Sequence, residues 1–192
     1  RNDEIDEFSF IESAGTWSPD GKRFAFVVFS KGINKLVIVD VDKSRIREEI
    51  EIKGIPAINN PVWSPDGSSI LFSGMEQGIV DLYQYNLTTR ETKKITDDSM
   101  SNIHADWSPD GRYIVYSTER VNNGINKTKY GFDIILRDMQ TGISRNLDVF
   151  PGAMNINPVF NGNDIFFLSD RDGFRNMYKY EISTGRIFRM TK

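Results

Sequence analysis

Trp63-Ser64-Pro65-Asp66-Gly67 occurs letter for letter at two other places, as Trp17-Ser18-Pro19-Asp20-Gly21 and as Trp107-Ser108-Pro109-Asp110-Gly111. The copies start at 17, 63 and 107, a spacing of 46 and then 44 residues. A long motif that recurs at a near-constant spacing marks an array of like structural units. That period is the one expected of a four-stranded propeller blade.

The motif carries its own backbone instructions. Pro fixes φ at the value that the second position of a type I turn needs. Asp tolerates the third position and can bond back to the main chain, and Gly supplies the left-handed conformation that reverses the chain. After each turn large side chains alternate: Phe24 and Phe26, Ile70 and Phe72, Ile114 and Tyr116. A period of two predicts a half-buried strand. Trp therefore ends one strand, the turn follows, and the next strand runs back.

A fourth copy is degraded. Pro158-Val159-Phe160 stands where Pro61-Val62-Trp63 stood, and the turn shortens to Asn161-Gly162, a two-residue hairpin signal. Ile165 and Phe167 then occupy the places of Ile70 and Phe72. From the second aromatic to the next strand is eleven residues in three units (Phe26 to Val37, Phe72 to Tyr83, Phe167 to Tyr178) and nineteen in the third (Tyr116 to Ile135). The third unit therefore carries an insertion of eight, in the polar, Asn-rich and basic stretch Arg120–Tyr130.

The resulting organisation is all-β. Residues 1–12 hold a strand at Phe8–Ile11, either the outer strand of a preceding blade or an added edge strand. Four blades follow at about 13–52, 57–96, 101–149 and 154–191. The alternating aromatics are expected to fill the space between blades. The chain begins at Arg1 without Met, shows no signal peptide, and is expected to be a piece of a longer polypeptide. Open first and last blades would expose apolar faces, so self-association through the ends is expected.

Composition removes several function classes. With 24 basic and 27 acidic residues the net charge is −3, which gives no basic excess for nucleic acid or an anionic membrane surface. The longest apolar run, Phe24 to Phe29, is too short to enter and span a bilayer. Cys is absent, which excludes disulfides, thiol catalysis and thiolate metal sites. His104 is the only His, and no Gly-x-Ser-x-Gly elbow or phosphate-binding Gly-rich loop occurs. No catalytic residue, metal or cofactor is expected.

Trp-Ser-Pro-Asp-Gly followed by basic-x-aliphatic-x-aromatic resembles the TolB-type, WD40-like propeller repeat. So do Phe167-Leu168-Ser169-Asp170-Arg171-Asp172-Gly173 and the Phe188-Arg189-Met190-Thr191 close. The resemblance runs from residue 13 nearly to the end. It implies a propeller of which four blades are recognisable here, usually six in the family. It also implies a non-catalytic role in binding protein partners of the bacterial envelope, notably the peptidoglycan-associated lipoprotein, with a periplasmic or envelope-associated location. Similar repeats also form the substrate-gating lid of prolyl-oligopeptidase-type serine peptidases, and one propeller lyase family holds its metal on His residues. These stand as the alternatives.

Two groups of residues are candidate binding positions. Asn60, His104 and Asn157 lie three residues before Trp63, Trp107 and Phe160. They would line one mouth of a central channel, or else bond local backbone, as Asn readily does. Arg120, Asn122, Asn123, Lys127, Lys129 and Tyr130 belong to the insertion, expected on the same face as Met75–Gly78 and Asp170–Arg175. Extra loop length on one face is where repeat proteins often bind. Asp170, Asp172 and Asn176 have the look of an incomplete calcium loop; the alternative is a hairpin turn bonded to its own backbone.

Overall fold

A computed structural model describes residues 15–120 and 131–191. The expected strand Phe8–Ile11 and the insertion residues Asn122, Asn123, Lys127, Lys129 and Tyr130 lie outside the described residues. Among the described residues sixteen strands make four sheets, each with its strands in chain order and every pair antiparallel. The first sheet holds β1 (Thr16–Trp17), β2 (Arg23–Ser30), β3 (Ile33–Asp40) and β4 (Arg45–Glu51). The second holds β5 (Ala57–Trp63), β6 (Ser69–Glu76), β7 (Ile79–Asn86) and β8 (Thr92–Lys94). The third holds β9 (Asn102–Trp107), β10 (Tyr113–Arg120), β11 (Gly131–Asp138) and β12 (Ser144–Asn146). The fourth holds β13 (Asn155–Asn161), β14 (Asp164–Ser169), β15 (Asn176–Glu181) and β16 (Ile187–Arg189). Among the described residues there is no helix. This is the topology of propeller blades.

The repeated turn forms as its residues dictate. In the second sheet Gly67 takes φ +71° and its N–H donates to the Ser64 carbonyl at 2.9 Å. The Ser64 hydroxyl accepts from the Ser69 N–H at 3.0 Å and donates to Asp66 Oδ1. Asp66 also accepts from the Ser68 N–H at 3.0 Å. The same bonds recur around Asp20 and Asp110, with Arg23 and Tyr113 as the amides that reach the Ser hydroxyl. The Ser hydroxyl first, then the backbone amide, hold all three carboxyls below the usual carboxylate range. Each Ser is buried, so its hydroxyl is matched inside the turn as a buried polar group must be.

The chain divides into two compact units, Arg1–Ser99 and Met100–Lys192. In the first, Ala25, Val27, Leu36 and Ile38 of the first sheet pack with Trp63, Ile70, Phe72 and Tyr83 of the second. In the second, Val115, Ile134 and Leu136 of the third sheet pack with Ile165, Phe167, Tyr178 and the half-buried Phe160 of the fourth. A hydrogen bond bolts each pair of first strands. Thr16 Oγ1 accepts from the Trp63 N–H at 3.4 Å, and Asp106 Oδ2 accepts from the Phe160 N–H at 2.7 Å. Both acceptors stand one residue before the Trp of the repeat. The outermost strands are three residues long in three sheets, and in the fourth case carry the charged run Arg45–Glu51; both devices blunt an edge against stray pairing.

One aromatic departs from expectation. Trp63 and Trp107 are 5% and 8% exposed, but Trp17 is 56% exposed. Trp63 is roofed by the Arg23 guanidinium of the preceding sheet, 4.5 Å from the ring centre. Trp17 belongs to the first described sheet, and no described sheet precedes it.

Candidate binding site

Asn60, His104 and Asn157 share one backbone conformation, with φ of +52°, +53° and +53°. Each sits where the first strand of its sheet slips register, between Asn59 and Val62, Ile103 and Asp106, and Ile156 and Val159. These are β-bulges inside the strand. Asn and His are the non-glycine residues that accept positive φ at least cost. The recurrence of Asn, His and Asn therefore matches a shared backbone requirement. Asn60-Pro61 and Asn157-Pro158 carried the signal, since the bulge residue precedes a Pro that cannot donate to the ladder.

His104 is the exception chemically. Its Nδ1 is buried with no hydrogen-bond partner, and burial pushes its pKa below the usual 6.5. Folding thus favours the neutral ring. That contribution is full above pH 6.5 and is lost as the pH falls through the lowered folded value. Asp106 acts in the opposite sense: burial raises it above 3.8, partly offset by the Phe160 and Trp107 amides, so its contribution is full below 3.8 and is lost as the pH rises. His104→Asn keeps a residue suited to φ +53° and removes the titration. Wild-type stability should fall as the pH drops below about 6.5, and the His104 part of that fall should be missing from the variant in urea melts at about pH 7.5 and 6. Equal slopes would show that His104 does not titrate in a buried place.

The second unit gathers a more inviting surface. The strands flanking the insertion end at the pair Arg120 and Gly131. Phe132, next in line, bridges to Met154, and the Met154 N–H donates to Asp170 Oδ1 at 2.8 Å. The root of the insertion is thus tied through Met154 to the β14–β15 loop, Asp170–Arg175. Between that loop and the connector Phe150–Ala153 lies a cleft of about 700 Å³, lined also by Arg171 and Gly173. Asn155, fully buried, pins the connector by donating Nδ2 to the carbonyls of Val149, Phe150 and Ala153.

The loop is held rigidly from behind. The Arg171 guanidinium lies over the Phe150 ring at 4.3 Å, and Phe150 meets Tyr178 edge-on at 4.7 Å. The Tyr178 hydroxyl donates to Asp172 at 2.6 Å, and Asp172 also faces Arg171 and Arg189, each at 3.5 Å. Burial, then the Asp172 carboxylate, raises the Tyr178 pKa, so the phenol stays protonated as the donor. At the tip, Phe174 is 78% exposed, and Arg175 is exposed and makes no ion pair among the described residues. Aromatic and Arg side chains are the residue types enriched at protein interfaces.

The three residues of the incomplete calcium loop are engaged separately. Asp170 takes the Met154 amide, Asp172 takes Tyr178 and two Arg side chains, and Asn176 Oδ1 accepts from the Thr191 hydroxyl at 3.1 Å. Among the described residues no group of three or more His, Asp and Glu is placed to hold a metal ion. Arg120 is described as the end of β10. Sequence reasoning placed the Asp170–Arg175 loop but missed the connector Phe150–Ala153, whose Pro-Gly pair was its one visible signal.

The family profile described as "TolB beta propeller domain" matches residues 1–130. The "Tol-Pal system protein TolB" of Wolinella succinogenes is 27% identical over 156 residues, covering 80% of this chain and 35% of that protein. "Dipeptidyl-peptidase 5" of Porphyromonas gingivalis is 25% identical over 169 residues, covering 75% of this chain and 22% of that protein. Among solved structures, a putative TolB from Agrobacterium tumefaciens superposes with a TM-score of 0.73 at 26% identity, over 95% of this chain and 62% of that one. The chain spans about a third or less of the length of the curated relatives it matches.

Proposed function

Since the chain belongs to the TolB beta propeller family, we propose that it is a non-catalytic protein-binding module of a bacterial envelope, acting in the periplasm or at its boundary. The observation that carries this is the braced loop Asp170–Arg175 of the second unit, which lines the cleft through Asp170, Arg171 and Gly173, exposes Phe174 and Arg175 beside them, and is tied to the root of the insertion. The relatives named as Tol-Pal system proteins support a partner of the same system, and a peptidoglycan-associated lipoprotein is the first to test. Among the described residues no helix is long and apolar enough to cross a membrane.

The test is a calorimetric titration of the chain with that purified lipoprotein. Phe174→Ala and Arg175→Ala should each weaken binding by about 1–2 kcal/mol or more, as truncated hot-spot residues do, while leaving the melting temperature unchanged, because both are exposed. Binding that survives both changes and deletion of residues 121–129 would move the site elsewhere.

A second reading rests on the peptidase relative, which covers 75% of this chain. There the sheets would gate the access of peptides to a catalytic domain on the same polypeptide. The sequence flanking the chain decides between them: a following α/β-hydrolase domain with a Gly-x-Ser-x-Gly elbow supports the gate.

A further inference from the structure

Two clefts of the second unit meet at one pair of side chains. The first is the space of about 700 Å³ between the connector and the β14–β15 loop. The second, of about 410 Å³, lies among Asp172, Tyr178, Gly185, Ile187 and Arg189. Phe150 and Arg171 line both.

Both side chains are held from the backbone. Phe150 takes φ +36°, a left-handed conformation that a bulky residue enters only at a cost. Asn155 holds the connector there, since its Nδ2 donates to the carbonyls of Val149, Phe150 and Ala153. The ring then rests against Tyr178 at 4.7 Å and Phe167 at 5.9 Å. Arg171 sits in a tight turn, closed by the Gly173 N–H on the Asp170 carbonyl at 2.9 Å, and its own N–H donates to the Ser169 hydroxyl at 3.3 Å. Its guanidinium lies over Phe150, 4.3 Å from the ring centre.

This arrangement leaves donors to spare. The guanidinium meets Phe150 through its face and approaches Asp172 through Nε, at 3.5 Å, and the side chain stays 53% exposed. The Nη1–Nη2 edge remains, a pair of N–H donors in the planar geometry that matches a carboxylate. The neighbouring acids are occupied elsewhere. Asp172 accepts from the Tyr178 hydroxyl at 2.6 Å and faces Arg189 at 3.5 Å, so two guanidiniums share its one carboxylate. Asp170 also lines the first cleft, but its Oδ1 accepts from the Met154 N–H at 2.8 Å.

We propose that Arg171 receives a carboxylate, that of an Asp or Glu within an extended segment of a partner protein. An internal residue fits better than a chain end, because space continues from Arg171 into both clefts, and the second adds the apolar surface of Tyr178 and Ile187 for a neighbouring side chain. A single negative charge fits better than a phosphate, because Asp172 stands beside the guanidinium. The proposal rests on the protein-binding reading and adds to it the chemistry of the partner.

A nuclear magnetic resonance titration with three short peptides tests it. The probe is acetyl-Gly-Glu-Leu-Gly-amide, and its twin carries Gln for Glu, so the two differ by one carboxylate. The Glu peptide should bind at least about tenfold more tightly, as charge-assisted hydrogen bonds give, and should shift the Arg171 Nε–H and the amides of Gly152 and Gly173. The third peptide, the Gln twin with a free terminal carboxylate, should bind no better than the capped twin. Arg171→Lys keeps the charge but loses the planar fork, and should lose most of the preference for Glu. A Glu peptide that binds no better than its twin, shifts confined to other residues, tightest binding by the free terminus, or a full preference in Arg171→Lys would each overturn the proposal. The wild-type comparison needs no variant, so it decides even where Arg171→Lys fails to fold. None of these outcomes touches the titration with the lipoprotein, which decides the broader reading separately.

Discussion

Trp63→Ala is expected to lower the unfolding free energy by about 3–5 kcal/mol, while Trp17→Ala, the same substitution at the same place in the repeat, costs less than about 1 kcal/mol. Trp63 is 5% exposed, sits in the core of the first unit, and carries the Arg23 guanidinium over its ring at 4.5 Å. Removing it loses the transfer energy of a large side chain and leaves a cavity that the two sheets fill only partly. It also exposes the Thr16 bolt, which accepts from the Trp63 N–H. Trp17 is more than half in water and has little to lose. Urea melts of the two variants supply the comparison. Equal shifts in midpoint would contradict the packing of the first unit.

Lys94→Met should cost about 3 kcal/mol, the lower end of what removing one partner of a buried ion pair does. Asp81 is 2% exposed and sits at the start of β7. Its carboxylate takes the Thr96 hydroxyl at 2.8 Å and the Lys94 ammonium at 3.0 Å. Without the ammonium a buried charge keeps one hydroxyl. The figure sits low because the Lys94 side chain is 34% exposed, so water can take part of its place. The hydrogen bond to Asp97, then that to Asp81, raises the Lys94 pKa, so the ammonium persists throughout the neutral range. Asp81→Asn combined with Lys94→Met should recover about half the loss, because the uncompensated charge is gone. A double-mutant cycle in chemical denaturation reads the coupling, and strict additivity would show that the pair is not linked.

The sheets were legible in the sequence because their instructions are local. Pro19, Pro65 and Pro109 set one dihedral angle, Gly21, Gly67 and Gly111 another, and the alternating aromatics name the buried side. The outer strands are short for a physical reason. In the second sheet the ladder runs only over Thr92–Lys94; Ile95 then donates its N–H to the Leu82 carbonyl and turns into the core, and the Thr96 hydroxyl accepts from the Leu82 N–H. The candidate site was less legible. Asn60, His104 and Asn157 stood out by recurrence, yet the recurrence reports a bulge, a main-chain requirement that composition does not announce. The cleft was not legible at all, because it arises where the connector Phe150–Ala153 meets a loop some twenty residues further along the chain.

Hydrogen–deuterium exchange of the chain, free and saturated with the purified peptidoglycan-associated lipoprotein, tests the proposed binding role most directly. Slower exchange is expected in Asp170–Arg175 and Phe150–Ala153, with no change in the β5–β6 turn around Ser64–Ser68, which lies in the other unit. Protection absent from the loop and connector, or no complex at all, would contradict it.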